Sequence, residues 1–217
     1  MKKLKLGILI SGRGSNLQAL INACSENNYP AEIVLVISNK PDAQGLKHAI
    51  EANIETQVIE HNNYSDRESF DKDLNATLYA SGVELICLAG FMRLLSGWFI
   101  EKWPNKIINI HPSLLPAFKG TNSHAEVINS GVKISGCTVH FVTKDMDAGP
   151  IIMQAAVPVL PNDNKDSLAK RILKSEHKCY SHAIRLIASN KIKIKNQLVI
   201  DISGNKIDEI TFNPSLE

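Results

Sequence analysis

The sequence predicts an α/β fold: a doubly wound, mostly parallel, Rossmann-like sheet with an antiparallel strand pair, a long C-terminal helix and a terminal hairpin. Short, continuous apolar runs are typical of parallel strands covered on both faces, and here they alternate with stretches of helical periodicity. Four such alternations in succession indicate a doubly wound sheet. The chain has 217 residues and shows no linker, so we expect a single domain over residues 1–217.

Composition and charge narrow the functional classes. Hydrophobic residues make up 44% of the chain and charged residues 21%, which is ordinary for a soluble globular protein. The net charge is only +2 and the basic residues are spread out, which argues against nucleic acid as a partner. No apolar run approaches the roughly 18 residues of a membrane span, and the N-terminus lacks a signal-peptide pattern. We therefore expect a cytoplasmic protein that binds neither nucleic acid nor membrane.

The cysteines give no sign of a metal or redox site. All four lie far apart, without a C-x-x-C pair, and each has apolar neighbours: Cys24, Cys87, Cys137 and Cys179. We therefore expect reduced core residues and no bound metal.

The first strand leads into a glycine loop. Leu4–Ile10 is a continuous apolar run, and the helix after the loop has apolar residues at i, i+3, i+4 and i+7 from Leu17. Strand, glycine loop and helix form the usual cradle for an anion, because backbone N–H groups and the helix dipole meet there. The loop lacks the P-loop lysine and the third glycine of a dinucleotide site. It therefore suggests one phosphate, held by Gly12, Gly14, Ser15 and Asn16; an equally weighted alternative is a tight turn without a ligand.

Two further strands and two helices follow in order. The strands are predicted at Glu32–Ser38 and Thr56–Ile59, and a helix between them at Ala43–Ala52. Ser65 and Glu68 have capping-box spacing and predict the start of the next helix. Arg67 lies in the first turn of that helix, where the dipole disfavours a cation. An anionic ligand or neighbour is plausible there, although a solvated arginine is the simpler interpretation.

The fourth strand ends in an apolar loop. Val83–Ala89 predicts a buried strand, and residues 90–95 form its exit, with a single arginine, Arg93. In open α/β sheets, ligands bind at the carboxyl ends of the strands, so this loop can line a ligand pocket. A short helix is predicted around Ser96–Lys102.

The fifth strand carries the most informative pair of polar residues. Asn109 and His111 lie two residues apart in the strand that the apolar run from Ile107 predicts, so both side chains are expected on one face. Pro112 then ends the strand, because proline cannot donate to a sheet ladder. An amide beside an imidazole suits a carbonyl that becomes an oxyanion. The alternative is a buried polar pair satisfied by the backbone.

The pattern changes after Pro116. A short helix is predicted at His124–Asn129, and two strands at Ser135–Val142 and Ile151–Val159, which we expect to pair antiparallel. The loop between the strands contains Asp145 and Asp147 and is a candidate site loop, the alternative being an ordinary solvated turn.

The longest helix is predicted at Asp166–Ala188. Glu176 falls on its apolar face, and a carboxylate there needs a structural partner or a ligand. A terminal hairpin is predicted from Ile192–Asp201 and Ile207–Phe212, joined by a turn at residues 203–205, with little functional content.

The candidate residues together favour direct group transfer. The chain has no nucleophile elbow, so covalent catalysis is not indicated. Asn109, His111 and Asp147 suggest that a substrate group attacks a carbonyl held by protein donors. S-G-x-G-S-N, L-A-G-F-M-R, N-I-H-P-S-L-L-P, and H-F-V followed by D-x-G-P occur in this order and closely resemble the phosphoribosylglycinamide formyltransferases. The resemblance covers roughly residues 4–187.

The resemblance implies an activity and a catalytic set. The amine of 5'-phosphoribosylglycinamide would attack the formyl carbon of 10-formyltetrahydrofolate through a tetrahedral intermediate, in de novo purine biosynthesis. Asn109 and His111 would stabilise the oxyanion, with His111 as the proton donor. Asp147 would orient His111 and help to move the proton from the amine. The substrates would be small molecules and the chain a monomer or weak homodimer.

The resemblance also implies two binding sets. The phosphoribosylglycinamide set is Gly14, Ser15, Asn16, Leu173, Lys174, Ser175 and Glu176. The folate set is Arg67, Met92, Arg93, Leu94, Leu95, Asn109, Thr143, Lys144, Asp145, Met146 and Asp147. One position departs from the pattern, since family members often carry a histidine where Asn122 stands, and Asn122 is assigned no role.

Three other functions compete with this one. A 10-formyltetrahydrofolate hydrolase usually has a regulatory domain before the first strand, and here the strand is expected at Leu4. A methionyl-tRNA formyltransferase would need a further C-terminal domain and a basic surface. A nucleotide-phosphate binding module would not need Asn109, His111 and Asp147 together.

Overall fold

The computed structural model describes residues 2–202 of the chain. Within that range the strands are β1 Leu4–Ile10, β2 Ala31–Ser38, β3 Thr56–Val58, β4 Leu85–Leu88, β5 Ile107–His111, β6 Ile134–Phe141, β7 Ile151–Pro158, β8 Ile192–Lys195 and β9 Leu198–Asp201. The α-helices are α1 Ser15–Cys24, α2 Gly45–Glu51, α3 Arg67–Ala80, α4 Gly97–Lys102, α5 Ser123–Ser130 and α6 Lys165–Ala188. None of the helices in the described range is long and apolar enough to cross a membrane.

The predicted doubly wound sheet is confirmed. Seven strands form one sheet in the order β3-β2-β1-β4-β5-β6-β7, and β8 pairs with β9 separately. β1 lies between β2 and β4, and the pairs β1–β2, β1–β4, β2–β3 and β4–β5 are all parallel. β6 and β7 pair antiparallel, as predicted. Since the chain order reverses beside β1, the loops after β1 and β4 lie at the point where such sheets bind ligands.

The described chain divides into two compact units. The first comprises residues 2–109 and 141–144, and the second comprises residues 110–140 and 145–202. The single domain over residues 1–217 therefore stays a prediction.

Apolar side chains from α3 and the strands form the core of the first unit. Phe70, Leu74 and Leu78 form the inner face of α3, and each is at most 2% exposed. They pack with strand residues such as Leu9 and Ile86 in one cluster. Burying side chains of this size stabilises the unit by about 1.5–3 kcal/mol each.

The second unit is organised on the long helix α6. Leu168, Ile172 and Ala183 are fully buried on one face of α6, which packs against β7. Cys137 of β6 and Cys179 of α6 are buried free thiols that hydrogen-bond to each other. The hydrogen bond with Cys179, and after it burial, raises the pKa of Cys137. All four cysteines are free thiols, and Cys87 is buried as expected, but Cys24 is only partly buried and is not a core residue.

The N-cap of helix α3 lies one residue later than predicted. The N-cap is Asp66, whose carboxylate accepts a hydrogen bond of 2.8 Å from the backbone N–H of Ser69. The predicted capping box at Ser65 and Glu68 is therefore wrong. Asp66 displaces Ser65 because a carboxylate is at least as good a cap and also interacts with the positive end of the helix dipole.

The terminal hairpin lies earlier in the chain than predicted. β8 and β9 together fall inside the range that was predicted as one strand, and their turn is Asn196 and Gln197. Both turn residues have positive φ, 51° and 61°, as a two-residue hairpin turn requires. The prediction relied on the stronger glycine signal at residues 203–205, and its second strand lies outside the described residues.

A partly buried ion pair holds the start of α6 in place. Arg171 donates from Nη1 and Nη2 to the carboxylate of Asp163, at 2.6 and 2.8 Å, and from Nη1 to the carbonyl of Pro158 at 2.9 Å. The Asp163 side chain is only 3% exposed. The hydrogen bonds from Arg171 hold the pKa of Asp163 far below its usual range. This pair should therefore stabilise the folded chain in a pH-dependent way.

We expect Asp163→Ala to lower the free energy of unfolding at pH 7 by about 1.5–3 kcal/mol, as for hydrogen bonds to charged groups. Because the folded pKa is depressed, the contribution is complete above the unfolded pKa of about 3.9 and declines as the pH falls below it. Urea unfolding at pH 7 and pH 3 measures the difference between wild type and variant. Asp166→Ala, which changes an exposed acid in the first turn of α6, is the control. A deficit that does not shrink at pH 3 would contradict the assignment.

Candidate active site

β5 carries both central residues of the predicted pair. Asn109 belongs to the first unit and pairs in register with Leu88 of β4. His111 is the last residue of β5 and belongs to the second unit. The strand ends immediately before Pro112, as predicted.

The His111 ring is buried between two oxygen acceptors. Its Nε2 lies 2.9 Å from the carbonyl oxygen of Phe118, and its Nδ1 lies 3.4 Å from Oδ2 of Asp147. A carbonyl oxygen can only accept, so Nε2 carries a hydrogen and donates it to Phe118. Ser123 Oγ lies 3.3 Å from the same nitrogen. The ring is 4% exposed and its orientation is therefore set by protein contacts.

Asp147 is held in an unusual backbone conformation beside His111. Its φ is 49°, in the left-handed region that few non-glycine residues adopt. The backbone N–H of Gly120 donates to Asp147 Oδ2 at 2.9 Å. The carboxylate is thus fixed from a second loop, and its side chain is 11% exposed. Strain that surrounding contacts maintain is typical of functional sites.

His140 is a neighbour of Asp147 that the sequence did not reveal. Its Nε2 lies 3.8 Å from Asp147 Oδ1, and the residue is 2% exposed. The alternating pattern of β6 identified this position only as part of a strand. The H-F-V motif was the sole signal that could have indicated it.

His124 interacts electrostatically with His111. Burial lowers the pKa of His124, and the charges of Lys165 and His111 lower it further. Asn122, two residues earlier, is the N-cap of α5 but makes no side-chain capping bond. The position of Asn122 at the start of α5 therefore assigns it no role in the site.

The glycine loop after β1 forms a close contact between α1 and α2. Gly14 has φ 75°, and a Cβ built on it would lie 2.5 Å from Cα of Gly45. The backbone N–H of Gly45 donates to the carbonyl of Gly12 at 3.0 Å. The positive φ and this close contact are enough to require glycine at position 14, which agrees with the interpretation of the loop as a tight turn. However, Gly14 is the N-cap of α1 and supplies no side-chain cap, which leaves the helix N-terminus suited to an anion beside Ser15 and Asn16.

The apolar loop after β4 exposes two large side chains. Met92 is 67% exposed and Leu94 is 56% exposed. The backbone N–H of Met92 donates to Ser11 Oγ at 2.8 Å, and Ser11 donates to Asn39 Oδ1 at 2.5 Å. Ser11 thus ties the start of this loop to the start of the glycine loop. Exposed apolar side chains on an anchored loop suit a flat, apolar ligand.

Two arginines accompany this loop in the first unit. Arg93 lies over the ring of Phe70, with 5.8 Å between its guanidinium carbon and the ring centroid. Arg67 is exposed in the first turn of α3, as predicted.

The loop between β6 and β7 contributes to both units. Thr143 and Lys144 belong to the first, where Lys144 forms an ion pair with Glu101. Asp145, Met146 and Asp147 belong to the second, where Met146 is 53% exposed.

The predicted substrate-binding residues 173–176 lie in the first half of α6. Glu176 is 7% exposed and lies on the buried face of the helix, as expected. Leu173, Lys174 and Ser175 precede it on more exposed positions. A buried carboxylate on an apolar face remains the most informative feature of this stretch. No cluster of metal-binding side chains occurs within residues 2–202.

Comparison with known proteins identifies relatives over most of the chain. The formyl transferase family model matches residues 4–184. Phosphoribosylglycinamide formyltransferase from Haemophilus influenzae is 39% identical over 194 residues, which cover 89% of this chain and 92% of that protein. The trifunctional purine biosynthetic protein adenosine-3 from Gallus gallus is 50% identical over 192 residues, 88% of this chain. The chain spans only 19% of the length of that protein.

Solved structures agree with these relatives. Glycinamide ribonucleotide transformylase 1 from Symbiobacterium toebii is 46% identical, with a TM-score of 0.91 over 93% of this chain and 95% of that one. Phosphoribosylglycinamide formyltransferase from Anaplasma phagocytophilum is 47% identical, with a TM-score of 0.88 over 94% and 97%. The chain therefore belongs to the formyl transferase family and, within it, to the phosphoribosylglycinamide formyltransferases.

Proposed function

We propose that the chain transfers the formyl group of 10-formyltetrahydrofolate to the amine of 5'-phosphoribosylglycinamide, in de novo purine biosynthesis. Family membership supports the reaction class. The observation that carries the proposal is the buried His111, with the Asp147 carboxylate 3.4 Å from Nδ1 and a backbone carbonyl 2.9 Å from Nε2. A ring fixed in this way suits proton transfer at a reacting carbonyl.

The mechanism follows from the donors that the chain offers. The substrate amine attacks the formyl carbon, and a tetrahedral intermediate with an oxyanion forms. The Asn109 amide and the His111 ring stabilise that oxyanion, and His111 supplies the proton that the leaving folate nitrogen needs. Asp147 orients His111 and helps to move the proton from the attacking amine. Donors that act on developing charge lower the barrier without strengthening ground-state binding.

Phosphoribosylglycinamide has a phosphate at one end and an amine at the other. The phosphate fits Gly14, Ser15 and Asn16 at the uncapped N-terminus of α1. The ribose and glycinamide end is assigned to Leu173, Lys174, Ser175 and Glu176, where Glu176 is the buried carboxylate of α6.

The folate is assigned to residues that are mostly apolar or cationic. Met92, Arg93, Leu94 and Leu95 form one side, with Arg67 as a second cation for the carboxylates of the folate. Asn109 and the loop residues Thr143, Lys144, Asp145, Met146 and Asp147 complete the set. The exposure of Met92 and Leu94 supports a role in binding a flat ring.

Further expectations belong to this proposal. They are a cytoplasmic enzyme, a monomer or weak homodimer, small-molecule substrates without nucleic acid or membrane partners, and no bound metal. The relatives' names place their activity in purine biosynthesis, which supports a cytoplasmic enzyme with small-molecule substrates.

A coupled assay tests the proposal. The chain is incubated with 10-formyltetrahydrofolate, with and without phosphoribosylglycinamide, and tetrahydrofolate and the formylated product are measured separately. We expect both products in equal amounts, and neither when the amine is omitted. Tetrahydrofolate formed without the amine would instead favour a hydrolase, and no turnover in either case would refute the proposal.

A further inference from the structure

Asp71 is a buried acid that the reaction scheme above does not use. It lies in the second turn of α3, between residues that face the core, and is 1% exposed. Its Oδ2 accepts a 2.6 Å hydrogen bond from the backbone N–H of Ser96. Ser96 is the residue directly after the apolar loop 92–95. Asp71 therefore anchors the end of this loop, as Ser11 anchors its start at Met92.

The surroundings of Asp71 combine burial with two cations. Burial raises the pKa of this carboxyl, and the hydrogen bond from Ser96 and the charges of Arg67 and Arg93 act in the opposite direction. Its second oxygen, Oδ1, is buried and makes no hydrogen bond within the described residues. A buried carboxylate that is only partly satisfied costs stability. If this position only had to pack α3 against the core, an apolar residue would stabilise the fold more than Asp71 does.

Neither helix needs the charge of Asp71 to fold. α3 has its own cap at Asp66, and α4 is capped by the Ser96 side chain, which accepts from Phe99 N–H at 3.2 Å. A neutral amide in place of the carboxylate would still accept the bond from Ser96 N–H. What only the carboxylate provides is a negative charge. Arg67 lies four residues earlier on the same helix, a spacing that puts both residues on one face. Arg93 belongs to the anchored loop, and its guanidinium lies over the ring of Phe70, the residue next to Asp71.

We propose that Asp71 is a positioning residue for the formyl donor: its carboxylate holds the end of loop 92–95 and sets the orientation of Arg67 and Arg93. This inference rests on the proposed function, because both arginines and the loop are assigned there to the folate. Asp71 itself is buried and acts through these groups. The two arginines carry the charges that recognise the carboxylates of the folate, and a fixed counter-charge behind them limits their alternative orientations.

Two substitutions separate the charge from the hydrogen bond. Asp71→Asn keeps the size and the acceptor, and Asp71→Ala removes both. For Asp71→Asn we expect the KM for 10-formyltetrahydrofolate to rise about tenfold, with the KM for phosphoribosylglycinamide unchanged. Its melting temperature should stay equal or rise, because a buried charge is removed. For Asp71→Ala we also expect faster amide hydrogen exchange at Ser96 and in the loop.

Glu68→Gln is the matched control. Glu68 is an exposed acid of the same helix that pairs with Lys72, so the change removes a charge of the same sign without touching the loop. It should leave both KM values unchanged. An unchanged folate KM in Asp71→Asn would overturn the inference, as would a lower melting temperature with both KM values raised.

The two proposals fail in different ways. Absence of formyl transfer by the wild-type chain refutes the proposed function. Hydrogen exchange needs no activity and reports on the loop alone, so protection of Ser96 that persists in Asp71→Ala would refute the anchoring role even then.

Discussion

His111→Ala is expected to lower kcat by about 10²–10⁴-fold, the range for loss of a general acid or base, with little effect on folate binding. The ring is buried between the Phe118 carbonyl and Asp147, and in the proposed mechanism it acts on charge that develops only during reaction. Interactions of this kind contribute to turnover and not to ground-state affinity. Single-turnover kinetics, together with a separate measurement of the dissociation constant for a folate ligand, tests this.

The substitution needs a control for folding. His182→Ala changes an exposed histidine of α6 in the same unit and should leave kcat unchanged. Thermal unfolding of both variants shows whether the cavity left by the imidazole has destabilised the fold. If His111→Ala weakens folate binding as much as turnover, His111 is structural.

The order and type of the main elements could be predicted from the sequence. Continuous apolar runs identified the buried strands, and β1 begins and ends at the predicted residues, Leu4–Ile10. Errors arose where two local signals competed. Ser65 and Asp66 are both good caps, and Asn196-Gln197 is a weaker turn signal than the glycine that follows at residue 204. Such choices depend on energies of about 1 kcal/mol, which a pattern does not resolve.

The candidate site was predictable only in part. Asn109 and His111 stood out because their spacing and the proline after them are local features. The partnership of His111 with Asp147 joins residues that are far apart in the chain, and the resemblance to a family implied it, not the spacing. His140 escaped notice because it stands between the apolar residues Val139 and Phe141 of a strand, and Asp71 because it lies among several charged residues at the start of α3. Contacts set by packing leave no periodic signal.

Asp147→Asn is expected to lower kcat by about a hundredfold or more. The change suits the site, because asparagine tolerates the left-handed φ of 49° and its side-chain oxygen can still accept from Gly120 N–H. What disappears is the negative charge beside Nδ1 of His111. Steady-state kinetics, with Asp166→Asn as an exposed acid control in the same unit, measures the effect. Near-normal activity would remove Asp147 from the mechanism.

The double variant His111→Ala/Asp147→Asn distinguishes the two roles given to Asp147. If Asp147 works mainly by orienting His111, its substitution costs little once the ring is gone, and the two losses in kcat do not add. If it instead takes up the proton of the attacking amine by itself, the losses multiply. The 3.4 Å separation of Asp147 Oδ2 from His111 Nδ1 favours the first outcome, since each group lies within ion-pair distance of the other. A fully multiplicative loss would mean that the carboxylate acts on the substrate without the imidazole.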